Sequence, residues 1–187
     1  VSGPIGASII VWNGLLADDV SPRRFGATRR VLVTGMSGTG KSAALAELAR
    51  RGHRVVDTDD EGWSEEVRTA NGGVEQLWRE DRIGALLDGH REGALFLAGC
   101  VRNQGRFRDR LDAVVLLSVP EDVLLDRIAT RGTNVFGKSD AERARILADL
   151  HAVEPLLRRG ADAEIDTRLP ISGVADRLEE IAGAATG

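Results

Sequence analysis

From Arg30 onward, hydrophobic positions alternate between short apolar runs and stretches of helical period. Val31-Leu32-Val33 has the length and branching of a buried strand and leads into Gly35. Residues 41–51 carry the helical period, with Ala44, Leu45, Leu48 and Ala49 on one face and Gly52 as the stop. Val55-Val56 predicts a second strand that ends at Asp57-Thr58-Asp59. Residues 74–90 predict one or two helices, with Val74, Leu77, Trp78, Ile83, Leu86 and Leu87 inward. Leu95-Phe96-Leu97-Ala98 predicts a third strand ending at Gly99, and residues 113–119 a fourth. Pro120 then suits the first turn of a helix over 121–131. A capping box of Ser139 and Glu142 opens the next helix, which runs toward Leu157 with a kink or end near Pro155. A short strand at Ala163-Glu164-Ile165 and an amphipathic helix over 174–181 close the chain. Strands alternating with helices predict an α/β fold, a five-stranded parallel sheet covered on both faces. One domain is expected over 30–187, with residues 1–29 as a flexible extension.

Composition narrows the function. The 187 residues suffice for a single core, and 42% hydrophobic with 29% charged residues is a soluble, globular balance. A net charge of −4 gives no general pull toward nucleic acid or anionic lipid. No apolar run approaches the roughly 18 residues that span a bilayer. The patch Ile9-Ile10-Val11-Trp12 has no basic stretch ahead of it, so a secretory signal is not expected. Lone Cys100 excludes an internal disulfide and a cysteine metal cluster, and points to a reducing cytoplasm. His53, His90 and His151 fit no metal-ligand spacing and are expected at the surface or at helix ends. Among the 25 basic residues only Lys41 and Lys138 are lysine, so both are candidates for a task that needs a compact ammonium.

The strongest chemical signal is Gly35-Met36-Ser37-Gly38-Thr39-Gly40-Lys41-Ser42, a full G-x-x-x-x-G-K-[ST] phosphate loop between a strand and a helix. Gly35, Gly38 and Gly40 let the chain curl so that backbone N–H groups, including those of Ser37 and Thr39, point at an anion. The positive end of the following helix adds to them. In this motif Lys41 reaches the β- and γ-phosphates and the Ser42 hydroxyl joins a magnesium ion, so ATP with Mg²⁺ is the expected ligand pair. Ser37 and Thr39 have no base nearby in sequence, and a hydrolase triad has no support.

Beyond the loop, residues 31–181 resemble the P-loop small-molecule kinases, the nucleoside monophosphate kinases and shikimate kinase among them. Asp57-Thr58-Asp59 is similar to the D-x-D of shikimate kinase. The resemblance implies Asp57 as the carboxylate on the metal side and Asp59 as acceptor ligand or base. The plainer alternative is an acidic turn that caps the next helix. Gly99-Cys100-Val101-Arg102 resembles the G-x-P-R of adenylate kinases, with valine in place of proline. It implies that Arg102 grips an acceptor phosphate. No acid stands at the end of that strand, which shifts the metal role onto Asp57.

Asp126-Arg127-Ile128-Ala129-Thr130-Arg131 resembles the helix that enters the lid of adenylate kinases. By that likeness Arg127 covers the base and Arg131 touches the phosphates; a surface ion pair is the alternative. The lid is then a short one around 132–145, with Lys138 or Arg143 as its cation. Asp166-Thr167 resembles the turn bordering the adenine. Trp63 and Trp78 fall where an acceptor would be covered, and core packing is their expected role.

The function expected is an ATP- and magnesium-dependent kinase acting on a hydroxyl or a phosphate of a small molecule. A nucleotide-binding regulatory ATPase without a small acceptor stays open beside it. Phosphorylation of a nucleic-acid end is a weaker third option, resting on the basic run from Arg102 to Arg110.

Overall fold

The computed structural model describes residues 10–11, 28–70, 72–130 and 140–183. Arg131, the expected lid segment 132–138 with its Lys138, and the capping-box Ser139 lie outside them. Five parallel strands form the central sheet: β2 (Arg29–Thr34), β3 (Arg54–Asp57), β6 (Ala94–Ala98), β7 (Ala113–Ser118) and β8 (Ala163–Asp166). A two-residue strand, β1 (Ile10–Val11), pairs antiparallel with β8, giving the order β1-β8-β7-β2-β6-β3. The domain boundary expected at residue 30 falls one residue inside β2.

Helices cover both faces. α1 (Lys41–Arg50) and α5 (Ile171–Ala182) lie on one, and Val31, Val33, Phe96, Val115 and Leu117 pack there with Ala44, Leu45, Leu48, Val174 and Leu178. Leu32, Leu95, Leu97 and Val114 face the other way, onto α2 (Glu80–Gly89) and a 3₁₀ segment, Arg102–Arg110. This two-sided burial explains why the strands read as unbroken apolar runs. α3 (Glu121–Thr130) and α4 (Asp140–Gly160) form a third cluster, Val119, Leu124, Ile128 and Leu150, against Met36 of the phosphate loop. α4 runs through Pro155 to Gly160, past the kink or end expected near Pro155. Ala49, expected inward, is exposed. No helix among the described residues is long and apolar enough to cross a membrane.

One element differs in kind from expectation. Residues 74–78 are not helical: β5 (Val74–Trp78) pairs antiparallel with β4 (Ser64–Arg68) in a separate hairpin. The segment V-E-Q-L-W satisfies a strand alternation as well as a helical period, and the partner strand decides. Val74 is accordingly 62% exposed, while Trp78, Ile83, Leu86 and Leu87 are buried as expected.

At the sheet's end away from the site, Arg51 donates to Glu47, Asp176, Glu179 and the Ser172 carbonyl, tying the end of α1 to α5. His53 Nε2 lies 2.7 Å from Glu179 Oε1, and His151 pairs with Glu121. His90 stands at a helix end as expected, capping α2, and is buried with its Nε2 3.1 Å from the Gly93 carbonyl.

Candidate nucleotide and phosphoryl-transfer site

Lys41, Ser42, Asp57 and Asp59 gather where parallel strands end, the edge at which open α/β sheets place ligands. β2 runs into the phosphate loop, β3 ends at Asp57, and β6 ends just before Gly99. Gly35 (φ +150°), Gly38 (φ +94°) and Gly40 (φ +95°) all adopt backbone angles that L side chains avoid. Gly35 also has no space for a side chain, because a Cβ would stand 2.4 Å from the Leu117 carbonyl oxygen of β7. At Gly38 it would meet Leu124 and Ile128 of α3, which pack on the loop.

Lys41 is buried, and its Nζ donates to the carbonyls of Gly35 (2.8 Å) and Met36 (3.3 Å). Thr39 Oγ1 donates to the Met36 carbonyl at 2.8 Å, so the loop is braced by its own side chains. At the first turn of α1 the Ser42 hydroxyl donates to Asp57 Oδ2 at 2.8 Å, across 15 residues of sequence. Asp57 Oδ1 accepts the backbone N–H of Asp59 at 3.1 Å. Asp59 keeps solvent contact, yet burial is the largest influence on its carboxyl and pushes its pKa up. Lys41 opposes that rise, and Asp57 and Asp60 add to it. Cys100 stands behind the loop near Thr34 and Gly35, and burial pushes its thiol up as well.

The donor set offered by Ser42 and Asp57 is a hydroxyl and a carboxylate side by side. Two hard oxygens with room for phosphate and water ligands suit magnesium, which keeps part of its hydration shell.

A cavity of about 390 Å³ opens beside the loop, lined by Gly38, Gly40, Ala43, Arg127, Thr167 and Leu169, among others. Arg127 of α3 donates to Thr167 Oγ1 (2.9 Å) and to the Thr167 carbonyl (2.6 Å). Its planar guanidinium is thereby fixed along the cavity wall by the turn after β8. The size suits one heterocyclic base.

Arg102 does not join this constellation freely. Its guanidinium pairs with Glu75 of the hairpin at 2.9 Å. Arg106 pairs with Glu80, Arg108 with Asp162 and Arg110 with Asp88. Each of the four arginines in the basic run is thus paired with a carboxylate. Trp78 is a core residue, 1% exposed, and Trp63 packs partly buried beside it. Sequence reasoning passed over three polar residues here: Thr58, Asn103 and Gln104. Thr58 and Asn103 bond Trp78, and Gln104 lies 3.3 Å from Thr34 Oγ1 behind the loop. None carries a motif or a periodicity that marks it.

Residues 31–148 match the family model described as an AAA domain. An 81-residue stretch is 41% identical to HPr kinase/phosphorylase of Bacillus cereus (strain B4264), covering 41% of this chain and 25% of that protein. The same figures hold for HPr kinase/phosphorylase of Bacillus anthracis (strain A0248). The chain spans about a quarter of the length of these curated relatives. Among solved structures, shikimate kinase from Bacteroides thetaiotaomicron is similar with a TM-score of 0.59 and 20% identity, over 82% of this chain and 97% of that one. A gluconokinase from Sinorhizobium meliloti 1021 gives 0.52 and 18%, over 84% and 93%. At such identities the likeness is one of fold.

Proposed function

The chain belongs to the AAA domain family, and on that premise we propose that it is an ATP- and magnesium-dependent kinase for a small molecule. The observation that carries the proposal is the Ser42–Asp57 contact at 2.8 Å, with Lys41 and Asp59 beside it. A second carboxylate at that position is placed to receive the proton of an acceptor hydroxyl.

The roles follow from the chemistry of each side chain. Backbone N–H groups of Gly35, Ser37, Gly38, Thr39 and Gly40 cradle the phosphates, and the Lys41 ammonium neutralises charge on the transferred group. Ser42 and Asp57 would hold Mg²⁺, which would offset the negative charge of the phosphates. Arg127 covers the base in the cavity it lines with Thr167. Asp59 orients the acceptor hydroxyl and takes its proton. Arg131 and Lys138, outside the described residues, are the further cations proposed for the phosphates on the sequence alone. A hydroxyl acceptor fits better than a phosphate, because Arg102 must give up Glu75 before it can hold an anion. Gluconokinases and shikimate kinases of this fold support the same class of acceptor by name. The lone Cys100 is in keeping with a reducing cytoplasm.

Two outcomes test the assignments directly. Arg127→Ala should raise the dissociation constant for ATP about tenfold, the equivalent of one or two good hydrogen bonds or a stacking contact, while leaving the acid-base chemistry intact. Isothermal titration checks it, and unchanged affinity would move the base elsewhere. Asp59 should give the pH profile of turnover an acid limb displaced above the usual aspartate value near 4, because burial raises its pKa and the base takes up its proton at a higher pH as the solution is acidified. Asp59→Asn should remove that limb together with most of the rate. A profile flat through the carboxylate range in the unaltered protein would contradict the base role.

A further inference from the structure

Thr58 lies between the two carboxylates of the Asp57-Thr58-Asp59 turn and is fully buried. Its backbone N–H and its hydroxyl both donate to the Ala98 carbonyl at the end of β6, at 2.9 and 2.7 Å. The same hydroxyl oxygen accepts the indole N–H of Trp78 at 2.8 Å. Trp78 in turn is gripped by the Asn103 side-chain amide. The Trp78 backbone N–H donates to Asn103 Oδ1 at 2.9 Å, and Asn103 Nδ2 donates to the Trp78 backbone carbonyl at 3.0 Å. From the other hairpin strand, Ser64 Oγ donates to the Thr58 carbonyl at 3.1 Å. Gly99 completes the fit, since a Cβ there would stand 2.3 Å from Thr58 Oγ1 and 3.0 Å from the Trp78 ring.

We infer that Asn103, Trp78 and Thr58 form a positioning relay, through which the β4–β5 hairpin sets where Asp57 meets Ser42. Apolar packing alone would be served as well by valine at 58 and phenylalanine at 78. Buried polar atoms instead cost free energy unless every partner is in place, so they are satisfied in one arrangement only. That arrangement holds the turn from three sides: β6, the hairpin and the 3₁₀ segment. Asp57 is the residue before Thr58, and its carboxylate bridges the Ser42 hydroxyl and the Asp59 N–H. A shift of Thr58 by a fraction of an ångström therefore opens the 2.8 Å contact on the cation side, while the phosphate loop, braced by its own bonds, stays put. The relay also gives the hairpin a function. A molecule seated against it acts on Asp57 and Asp59 through Trp78, so occupancy of the acceptor side and geometry of the cation side are linked.

The inference rests on the nucleotide-and-magnesium assignment of the same site, and the experiment separates the two. A β,γ-imido analogue of ATP is titrated in Mg²⁺ and in EDTA, and the ratio of the two dissociation constants is read. The proteins are the unaltered chain, Thr58→Val, Trp78→Phe, the double variant, and Ile83→Val as a packing control in the same core cluster. Thr58→Val and Trp78→Phe are each expected to lower the magnesium enhancement about tenfold, with affinity in EDTA held within about twofold. The double variant should lose no more than Thr58→Val alone, because both changes break one chain of bonds. Ile83→Val should lose thermal stability and keep the full enhancement. Trp78→Phe retains the ring and removes only the N–H, so it carries the test alone should Thr58→Val not fold. An enhancement unchanged in Trp78→Phe, or affinity lost equally in EDTA, overturns the relay. No enhancement in the unaltered chain overturns the assignment of the site, and the relay with it.

Discussion

Lys41→Ala should reduce phosphoryl transfer by about 10²–10³ in kcat/KM, the cost typical of removing one preorganised charge from the reacting group. The site leaves little to replace it. Lys41 is buried, its ammonium is held at the mouth of the loop by two carbonyls, and Arg102 is engaged by Glu75. Lys41→Arg should do little better. A broad planar fork cannot occupy the space of a compact ammonium that already makes a 2.8 Å contact to the Gly35 carbonyl. Both substitutions should leave the fold intact, because the loop keeps its Thr39–Met36 bond and its packing on α3. Thermal unfolding of each variant beside its turnover rate separates the two effects. A loss smaller than tenfold in Lys41→Ala would remove the loop from the chemistry.

The second large effect is on structure. Gly35→Ala should cost roughly 2–5 kcal/mol, adding backbone strain at φ +150° to a steric clash in a closed space. The neighbour is the Leu117 carbonyl of β7, at 2.4 Å, and a strand in the middle of a parallel ladder cannot move aside. Gly40→Ala provides the contrast: its φ of +95° is strained, but a Cβ there meets nothing within 4 Å. Only the conformational cost remains, about 1 kcal/mol or a little more. Urea unfolding of the pair should show a much lower midpoint for Gly35→Ala than for Gly40→Ala. Equal midpoints would mean that the loop yields where the packing says it cannot.

The parts of this molecule that sequence discloses are those where one physical demand acts alone. Central strands covered on both faces must be apolar throughout, so β2, β6 and β7 stand out as runs. The phosphate loop is equally plain, since its curl requires glycine at the three positive-φ positions 35, 38 and 40. The hairpin escaped notice because S-E-E-V-R has a single apolar residue and V-E-Q-L-W fits two periodicities. The Asn71-Gly72-Gly73 sequence between them is a turn signal for a hairpin, and it outranks an ambiguous period. Val74, inward on a helix, is an exposed strand residue for that reason.

Within the site, the contact between Ser42 and Asp57 was legible only through the resemblance to shikimate kinase, as nothing local ties residues 15 apart. Arg102, taken through its motif as an acceptor ligand, is paired with a carboxylate in the structure. Its partner Glu75 sits on the hairpin that the periodicity misassigned, so the ion pair could not be foreseen. Thr58 and Asn103 are ordinary polar residues whose importance comes from burial, and burial depends on the whole fold.

The most direct test of a small-molecule kinase is ADP release from ATP and Mg²⁺ across a panel of acceptors, with Lys41→Ala beside it. The panel takes neutral polyols, hydroxy acids such as shikimate and gluconate, nucleosides, nucleoside monophosphates and short oligonucleotides. Stimulation by a hydroxyl compound, absent in Lys41→Ala and lost in Asp59→Asn, is the result expected. Nucleotide bound tightly, with ADP release indifferent to every acceptor, would contradict it.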